Sequence, residues 1–215
     1  TGVGEPLLAE GFWRIVDALG DRKRPELVMN TNGILLTERN VERLMRCPIC
    51  MVSVSIDAAT PETYRRIRGS EMRKTVQGAK RIAAALKQRR AARLGRGFVQ
   101  VSMVLMKENI AECAAFVDLA AEIGAAIVYF EHLTEPHMPA QNWTVFRDDF
   151  RFNYAEQSLL GKPAESDPHI IAALDRADEL GIGIYGPQLL LDPANQHHLD
   201  RHCIRMALEG QGVEA

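Results

Sequence analysis

Short apolar runs alternate along the chain with longer stretches whose apolar residues recur at helical spacing, the pattern of a parallel α/β fold. Leu8, Phe12, Ile15, Val16 and Leu19 fall on one helical face, which Gly20 closes. Residues 26–30 read as a short strand running into Thr31, Asn32 and Gly33. Thr37 is placed to cap a helix carrying Val41, Leu44 and Met45 on one side. Residues 51–56 form a continuous apolar strand ending at Asp57, and Thr60-Pro61 opens a helix with a cap followed by proline. The next helix, expected over 73–93, has Val76, Ala79, Ile82, Ala83 and Leu86 as its core stripe. Residues 98–106 are the longest strand. Asn109 and Glu112 have the spacing of a capping box for a helix ending at Gly124, and 127–131 is another strand. The pattern then breaks across 134–166, where aromatic residues cluster at 143–146 and 150–154. Asp167-Pro168 is expected to restart a helix bearing Ile170, Ile171, Leu174 and Ala177, with a short strand at 182–185.

Composition narrows the classes. With 215 residues and 47% hydrophobic content, the chain can bury a full core. The formal net charge of −2 gives no bulk attraction for nucleic acid or an anionic membrane. The Lys/Arg-rich face of the 73–93 helix (Lys80, Arg81, Lys87, Arg89, Arg90, Arg93) therefore reads as a solvated face rather than a nucleic-acid patch. No apolar run reaches the roughly 20 residues a spanning helix needs. Four scattered cysteines are too few for a secreted disulfide framework, which points to a reducing cytoplasm.

Hydrogen-bonding residues gather where successive strands end: Gly4 and Glu5, then Thr31-Asn32-Gly33, then Ser55 and Asp57. Ligands of α/β folds bind at the carboxyl ends of strands, so these three groups describe one rim of one pocket. In the first group, a Gly-x-Gly-Glu-Pro turn exposes carbonyls that glycine lets a ligand approach, and its carboxylate and proline suit it to holding a ligand ammonium group.

In order along the chain stand Gly2-x-Gly4-Glu5-Pro6-Leu7, Asn30-Thr31-Asn32-Gly33, Val52-Ser53-Val54-Ser55-Ile56-Asp57, Thr60-Pro61-Glu62-Thr63-Tyr64 with Arg68-Gly69, and Val104-Leu105-Met106-Lys107-Glu108-Asn109-Ile110. This series resembles the radical S-adenosylmethionine enzymes. The likeness is strongest to the subgroup whose barrel is followed by a cysteine-rich, SPASM-type domain for auxiliary iron–sulfur clusters. It covers residues 1 to 133 closely and 167 to 203 loosely. It implies a partial (β/α)6, TIM-like barrel of parallel strands whose N-terminal strands are missing. It also implies S-adenosylmethionine as cofactor, with its methionyl amine at Gly4, Glu5 and Pro6. Ser55 and Asp57 would contact its ribose or carboxylate, Thr31 and Asn32 the nearby rim, and Arg68 or Arg73 its carboxylate by a charge-assisted fork. Glu131 and His132 end a barrel strand and are expected at the rim toward the substrate.

By the same resemblance, a [4Fe–4S] cluster reductively cleaves the cofactor to a 5′-deoxyadenosyl radical. The radical serves the modification or maturation of a peptide or small metabolite. The implied electron donor is a flavodoxin or ferredoxin, with no nucleic-acid or membrane partner. Expected domains are the core barrel at 1–133, the irregular aromatic segment with a final helix and strand at 134–202, and the start of an auxiliary cluster domain at 203–215. The family's Cys-x3-Cys-x2-Cys loop does not appear in this sequence. The chain is therefore expected to be a fragment whose cluster ligands lie upstream, with no catalytic residue or cluster ligand of its own in the barrel.

The remaining metal-ligand candidates are weaker. Cys47-x-x-Cys50 lies at the strand end opposite the rim and has no second pair, so both cysteines are expected to be structural. Cys203 stands either as the first auxiliary-cluster ligand or as a lone thiol. His198 and His202 have i, i+4 spacing, and a polar linker is expected there rather than a metal site. His132, His137, His169 and His197 complete the histidines. Two other classes stay open, a cluster-free nucleotide- or phosphate-binding α/β barrel enzyme and a non-catalytic, degenerate binding domain.

Overall fold

The computed structural model describes residues 4–20, 25–134, 144–147 and 150–211, with backbone alone over 144–151 and most of 204–211. Thr1, Gly2, Val3, His137 and Trp143 of the sequence reading lie outside the described residues. In chain order the elements are α1 (Glu10–Leu19), β1 (Leu27–Thr31), α2 (Glu38–Leu44), β2 (Ile49–Ser55), α3 (Pro61–Arg68), α4 (Met72–Ala91), β3 (Phe98–Leu105), α5 (Cys113–Ile123) and β4 (Ile127–His132). Then come β5 (Thr144–Arg147), β6 (Phe150–Asn153), α6 (Tyr154–Gln157), α7 (Pro163–Leu180), β7 (Gly183–Tyr185) and α8 (Gln196–Gln211). No described helix is long and apolar enough to cross a membrane.

Five strands form one parallel sheet in the order β1-β2-β3-β4-β7, while β5 and β6 pair antiparallel apart from it. Each main-sheet strand thus lies beside the next one in sequence. Right-handed crossovers between such neighbours put every connecting helix on the same face, which is the winding of a barrel rather than of a two-sided open sheet.

The two faces differ accordingly. Met29, Val52, Val54, Ile56, Val99, Val101, Met103, Leu105, Val128, Phe130 and Ile184 are all buried and alternate along their strands toward the helices. On the other face, parallel register sets Asn30 beside Ser53 and Ser53 beside Gln100. One step nearer the strand ends, Ser55, Ser102, Tyr129 and Tyr185 stand side by side across four strands. That face is polar and half-open.

Helix α4 carries the expected core stripe, with Ala79, Ile82, Ala83 and Leu86 buried. Its basic face is not simply solvated. Arg81 donates to the Leu36 carbonyl at 2.6 Å, Arg89 to that of Cys47 at 2.7 Å, and Arg90 to that of Gly97. These arginines satisfy carbonyls of connecting segments that no ladder reaches.

Three local expectations are corrected by longer-range partners. Asn109 and Glu112 form no capping box. The Asn109 side chain accepts from the Met106 amide and donates to the carbonyls of Asp57 and Val104, each at 2.8 Å. The Glu112 carboxylate accepts from the Ala59 amide and from the Thr60 amide and hydroxyl. The helix expected to restart at Asp167-Pro168 begins at Pro163 and runs through Pro168. Asp167 itself is buried and accepts from the Leu191 and Asp192 amides and the Asn195 amide group. Finally, residues 196–211 form α8 rather than a linker. His202 is buried there, its Nε2 accepting from the Ile184 amide at 2.9 Å, so its Nδ1 carries the hydrogen donated to Asp178 at 2.6 Å.

Candidate functional site

Gly4 opens the site. Its φ of +115° lies in the region that favours glycine, and the direction a Cβ would take there is empty space. Pro6 fixes the first position of a short 3-10 turn, Pro6–Leu8, whose amide at Leu7 is capped by Glu5. That turn is held from behind, because the Trp13 indole N–H donates to the Leu7 carbonyl at 3.0 Å. Arg43 of α2 stacks over the Trp13 ring at 4.5 Å and pairs with Asp17, locking α1 against α2.

The Glu5 carboxylate then reaches the end of β1. Its Oε1 accepts from the Thr31 hydroxyl at 2.7 Å and its Oε2 from the Asn32 amide at 2.8 Å. Thr31 Oγ1 accepts in turn from the Gly33 amide, and Asn32 Oδ1 from that of Ile34. Helix α4 secures the far side: Thr75 donates to the Asn32 carbonyl at 3.0 Å and bonds the buried Tyr64 hydroxyl at 2.8 Å. A Cβ on Gly78 would sit 2.1 Å from the Gly33 carbonyl oxygen, so only glycine lets α4 approach this turn.

Beyond β2 the chain turns at Asp57, a non-glycine residue at φ +65°. Such a residue costs of order 1–3 kcal/mol and persists only where its surroundings fix it. Here the Asn109 amide holds the Asp57 carbonyl, while the Asp57 carboxylate accepts from the Val104 amide at 2.8 Å and pairs with Arg68 at 2.5 Å. Burial pushes the Asp57 carboxyl above its ordinary range, against the opposing pull of the Arg68 charge and the Val104 N–H.

These pieces enclose a cavity of about 350 Å³ lined by Gly4, Glu5, Asn30, Thr31, Asn32, Ser55 and Arg68. Six expected residues, Gly4, Glu5, Thr31, Asn32, Ser55 and Arg68, are thereby brought together. Others stand elsewhere. Asp57 is buried behind Arg68 and acts on the cavity through it. Glu5 lines the cavity, but its carboxylate braces Thr31 and Asn32, so it is not the open ammonium receptor expected from sequence. Arg73 lines a different groove with Arg65. Glu131 faces the half-open side of the sheet, whereas His132 is buried on the helix side with its Nε2 against the Leu189 carbonyl at 3.0 Å. Asn30 joins the lining unpredicted.

Sequence reading also missed a hydrogen-bonded chain on the open face. The Tyr185 hydroxyl donates to Gln100 Oε1 at 2.8 Å, and Gln100 Nε2 donates to Ser53 Oγ at 2.9 Å. Ser102 donates to Ser55 at 3.4 Å, and the Tyr129 and Tyr185 rings meet edge to face at 5.0 Å. The available signal was the period-two recurrence of Ser53 and Ser55, and of Gln100 and Ser102, inside strands that read as continuously apolar.

A cavity of this size lies at the lower end of small-molecule sites. Its donors and acceptors (Asn30, Asn32, Ser55, Arg68) and the open approach over Gly4 fit a polar ligand with a carboxylate and hydroxyls, as S-adenosylmethionine is. The described cysteines do not fit an iron–sulfur cluster. Cys47 and Cys50 lie at the opposite end of β2, their thiols donating to the carbonyls of Leu44 and Leu27, and burial pushes both thiols up. Cys113 is buried, and burial pushes its thiol up further still. Cys203 is exposed on α8, and no described group of three His, Cys, Asp or Glu residues could hold a metal ion.

The sequence model of the Radical SAM superfamily matches residues 1–120. Mycofactocin maturase MftC of Mycobacterium tuberculosis is 30% identical over 127 residues, 59% of this chain and 30% of the maturase. A GTP 3',8-cyclase of Petrotoga mobilis is 31% identical over 155 residues, 69% of this chain and 44% of the cyclase. The chain thus spans less than half the length of either relative. Among solved structures, Streptococcus suis SuiB superposes with a TM-score of 0.62 at 13% identity, over 86% of this chain and 37% of SuiB. SuiB bound to S-adenosylmethionine gives 0.61 and SuiB bound to its precursor peptide SuiA gives 0.58, a likeness of fold.

Proposed function

The chain belongs to the radical SAM superfamily, and from that premise we propose that its 350 Å³ cavity binds S-adenosylmethionine for hydrogen-abstraction chemistry on a peptide. One observation carries the reading: seven residues from four separate stretches of chain line a single cavity at the carboxyl ends of β1 and β2. The bound cofactor supplies a sulfonium that a one-electron donor can cleave. Arg68, held on one side by Asp57, directs its remaining N–H groups to the ligand carboxylate. Asn30, Asn32 and Ser55 take its hydroxyls and ring nitrogens, while Glu5 and Thr31 keep the rim in register. A peptide substrate is supported by the maturase relative and by the solved SuiB–SuiA complex, and a flavodoxin or ferredoxin suits the electron-donor role. The cluster that delivers the electron finds no ligand set among the described residues.

Titration calorimetry with S-adenosylmethionine tests the cavity. Arg68→Ala should weaken binding about tenfold, or ~1.4 kcal/mol, and Arg73→Ala, outside the cavity, should leave it unchanged. Equal losses from the two variants, or no binding to the unaltered protein, would overturn the assignment.

A further inference from the structure

Glu131 is a carboxylate at the end of β4 that the cavity does not use. It is half-buried near the end of β4, and among the described residues it makes no ion pair. The neighbouring acids differ in this respect: Asp57 pairs with Arg68 and Glu108 with Arg66, and Glu112 is held by Ala59 and Thr60. A partly desolvated carboxylate without a cation is costly, and it is a place where a ligand cation gains. Two residues earlier on the same face stands Tyr129, whose ring meets that of Tyr185 edge to face. Tyr185 cannot swing freely, because its hydroxyl is fixed through Gln100 to Ser53. Burial, then the adjacent Glu131 charge, Tyr185 and a hydrogen bond to Glu131, push the Tyr129 hydroxyl above its usual range, which places that hydroxyl beside the Glu131 carboxylate.

We propose that Glu131, Tyr129 and Tyr185 form a subsite for the cationic side chain, ammonium or guanidinium, of the peptide substrate. This rests on the cofactor reading of the cavity above. The carboxylate supplies the opposite charge and the tyrosine faces supply cation–π surface and cover for an aliphatic stem. The subsite is joined to the cavity by Ser102, which bonds Ser55 on one side and adjoins Tyr129 on the other. Strands are about 4.8 Å apart, so Tyr129 lies roughly 10 Å across the sheet from Ser55. A basic side chain anchored at Glu131 therefore sets its own backbone, or the next residue, at the cavity mouth.

The test uses the chain with tyrosines fluorinated and follows the Tyr129 and Tyr185 signals by fluorine NMR. The probes are N-acetyl-lysine amide, N-acetyl-arginine amide, N-acetyl-norleucine amide and N-acetyl-glutamate amide, with n-butylamine as a free amine. Lysine and arginine amides should bind at least fivefold more tightly than norleucine amide. Glu131→Gln should erase that preference, and Glu131→Lys should transfer it to the glutamate amide. Norleucine amide binding equally well, or a preference that survives Glu131→Gln, overturns the inference. Butylamine binding as tightly as the lysine amide overturns its peptide part. Calorimetry with S-adenosylmethionine on the same samples separates the two readings: retained cofactor binding without cation preference sinks this inference alone, and the reverse result sinks the cofactor reading alone.

Discussion

Asn109 is fully buried and its side chain ties three backbone groups from two connections. Replacing it with leucine keeps the volume but leaves the Met106 amide and the Asp57 and Val104 carbonyls without that partner. At about 1–3 kcal/mol for each unsatisfied group, with partial relaxation, Asn109→Leu should lose about 2–4 kcal/mol. Because Asp57 sits at a positive φ held by this residue, the variant should also bind S-adenosylmethionine more weakly. A urea-unfolding loss below about 0.5 kcal/mol would show that the loop holds itself. This residue also marks a limit of reading by spacing. The interval from Asn109 to Glu112 matches a capping box, yet both side chains find partners about 50 residues away, and no local rule sees those. Glu5 and Thr31 were legible because each falls in a turn that the apolar pattern sets at a strand end, and Arg68, the last residue of α3, only through the family resemblance. The brace formed by the Glu5 carboxylate was not, since it depends on where β1 ends relative to a turn 26 residues earlier.

At the scale of elements, the strands and helices of 27–132 follow closely from apolar spacing, and the exceptions are places where an element is held by something distant. Helix α4 meets the Gly33 turn only because Gly78 has no side chain. Gly78→Ala would put a Cβ 2.1 Å from a backbone oxygen that cannot rotate away. The helix must shift, at about 1–3 kcal/mol, and the cavity should loosen with it. Calorimetry and a denaturation curve check both effects, and a fully stable variant with unchanged affinity would refute the close approach. Helix α7 is clamped by Asp167. Although burial raises that carboxyl, the hydrogen bonds from Asn195, the Asp192 and Leu191 amides and Ser166 together hold it below its ordinary 3.8. A carboxyl lowered on folding stabilises the fold fully above its unfolded value, and that contribution fades as pH falls through the lower folded value. Stability should therefore stay level from pH 7 to about 5 and decline below about 4. Asp167→Asn should be less stable at neutral pH and have a shallower acid limb. An acid limb identical to that of the unaltered protein would assign the decline to other groups, Glu112 first among them.

For the whole molecule, the one-sided winding of the sheet separates a sealed helix face from an open polar one, and exchange of backbone hydrogens should follow that division. β2, β3 and β4 are flanked by strands on both sides and should exchange slowest, with β1 and β7 at the edges faster. Adding S-adenosylmethionine should slow exchange at residues 4–8, 30–33 and 55 and leave β7 unaffected. Uniform slowing, or slowing confined to β7, would contradict the cavity. The open face itself was hidden in the sequence, because Ser53 and Gln100 looked like interruptions of apolar strands and not like members of a row. That row has one more effect. Ser53, Gln100 and Tyr185 are linked side chain to side chain across three of the five strands, so they act as a floor. Gln100 is level with Ile127, four residues and about 13 Å below Glu131 along β4, whereas Tyr185 is level with Tyr129, two residues and about 7 Å below it. A guest held at Glu131, as proposed above, would therefore meet the Tyr129–Tyr185 pair about 7 Å down and the Gln100 level only about 13 Å down, and anything longer must lie along the sheet instead of into it.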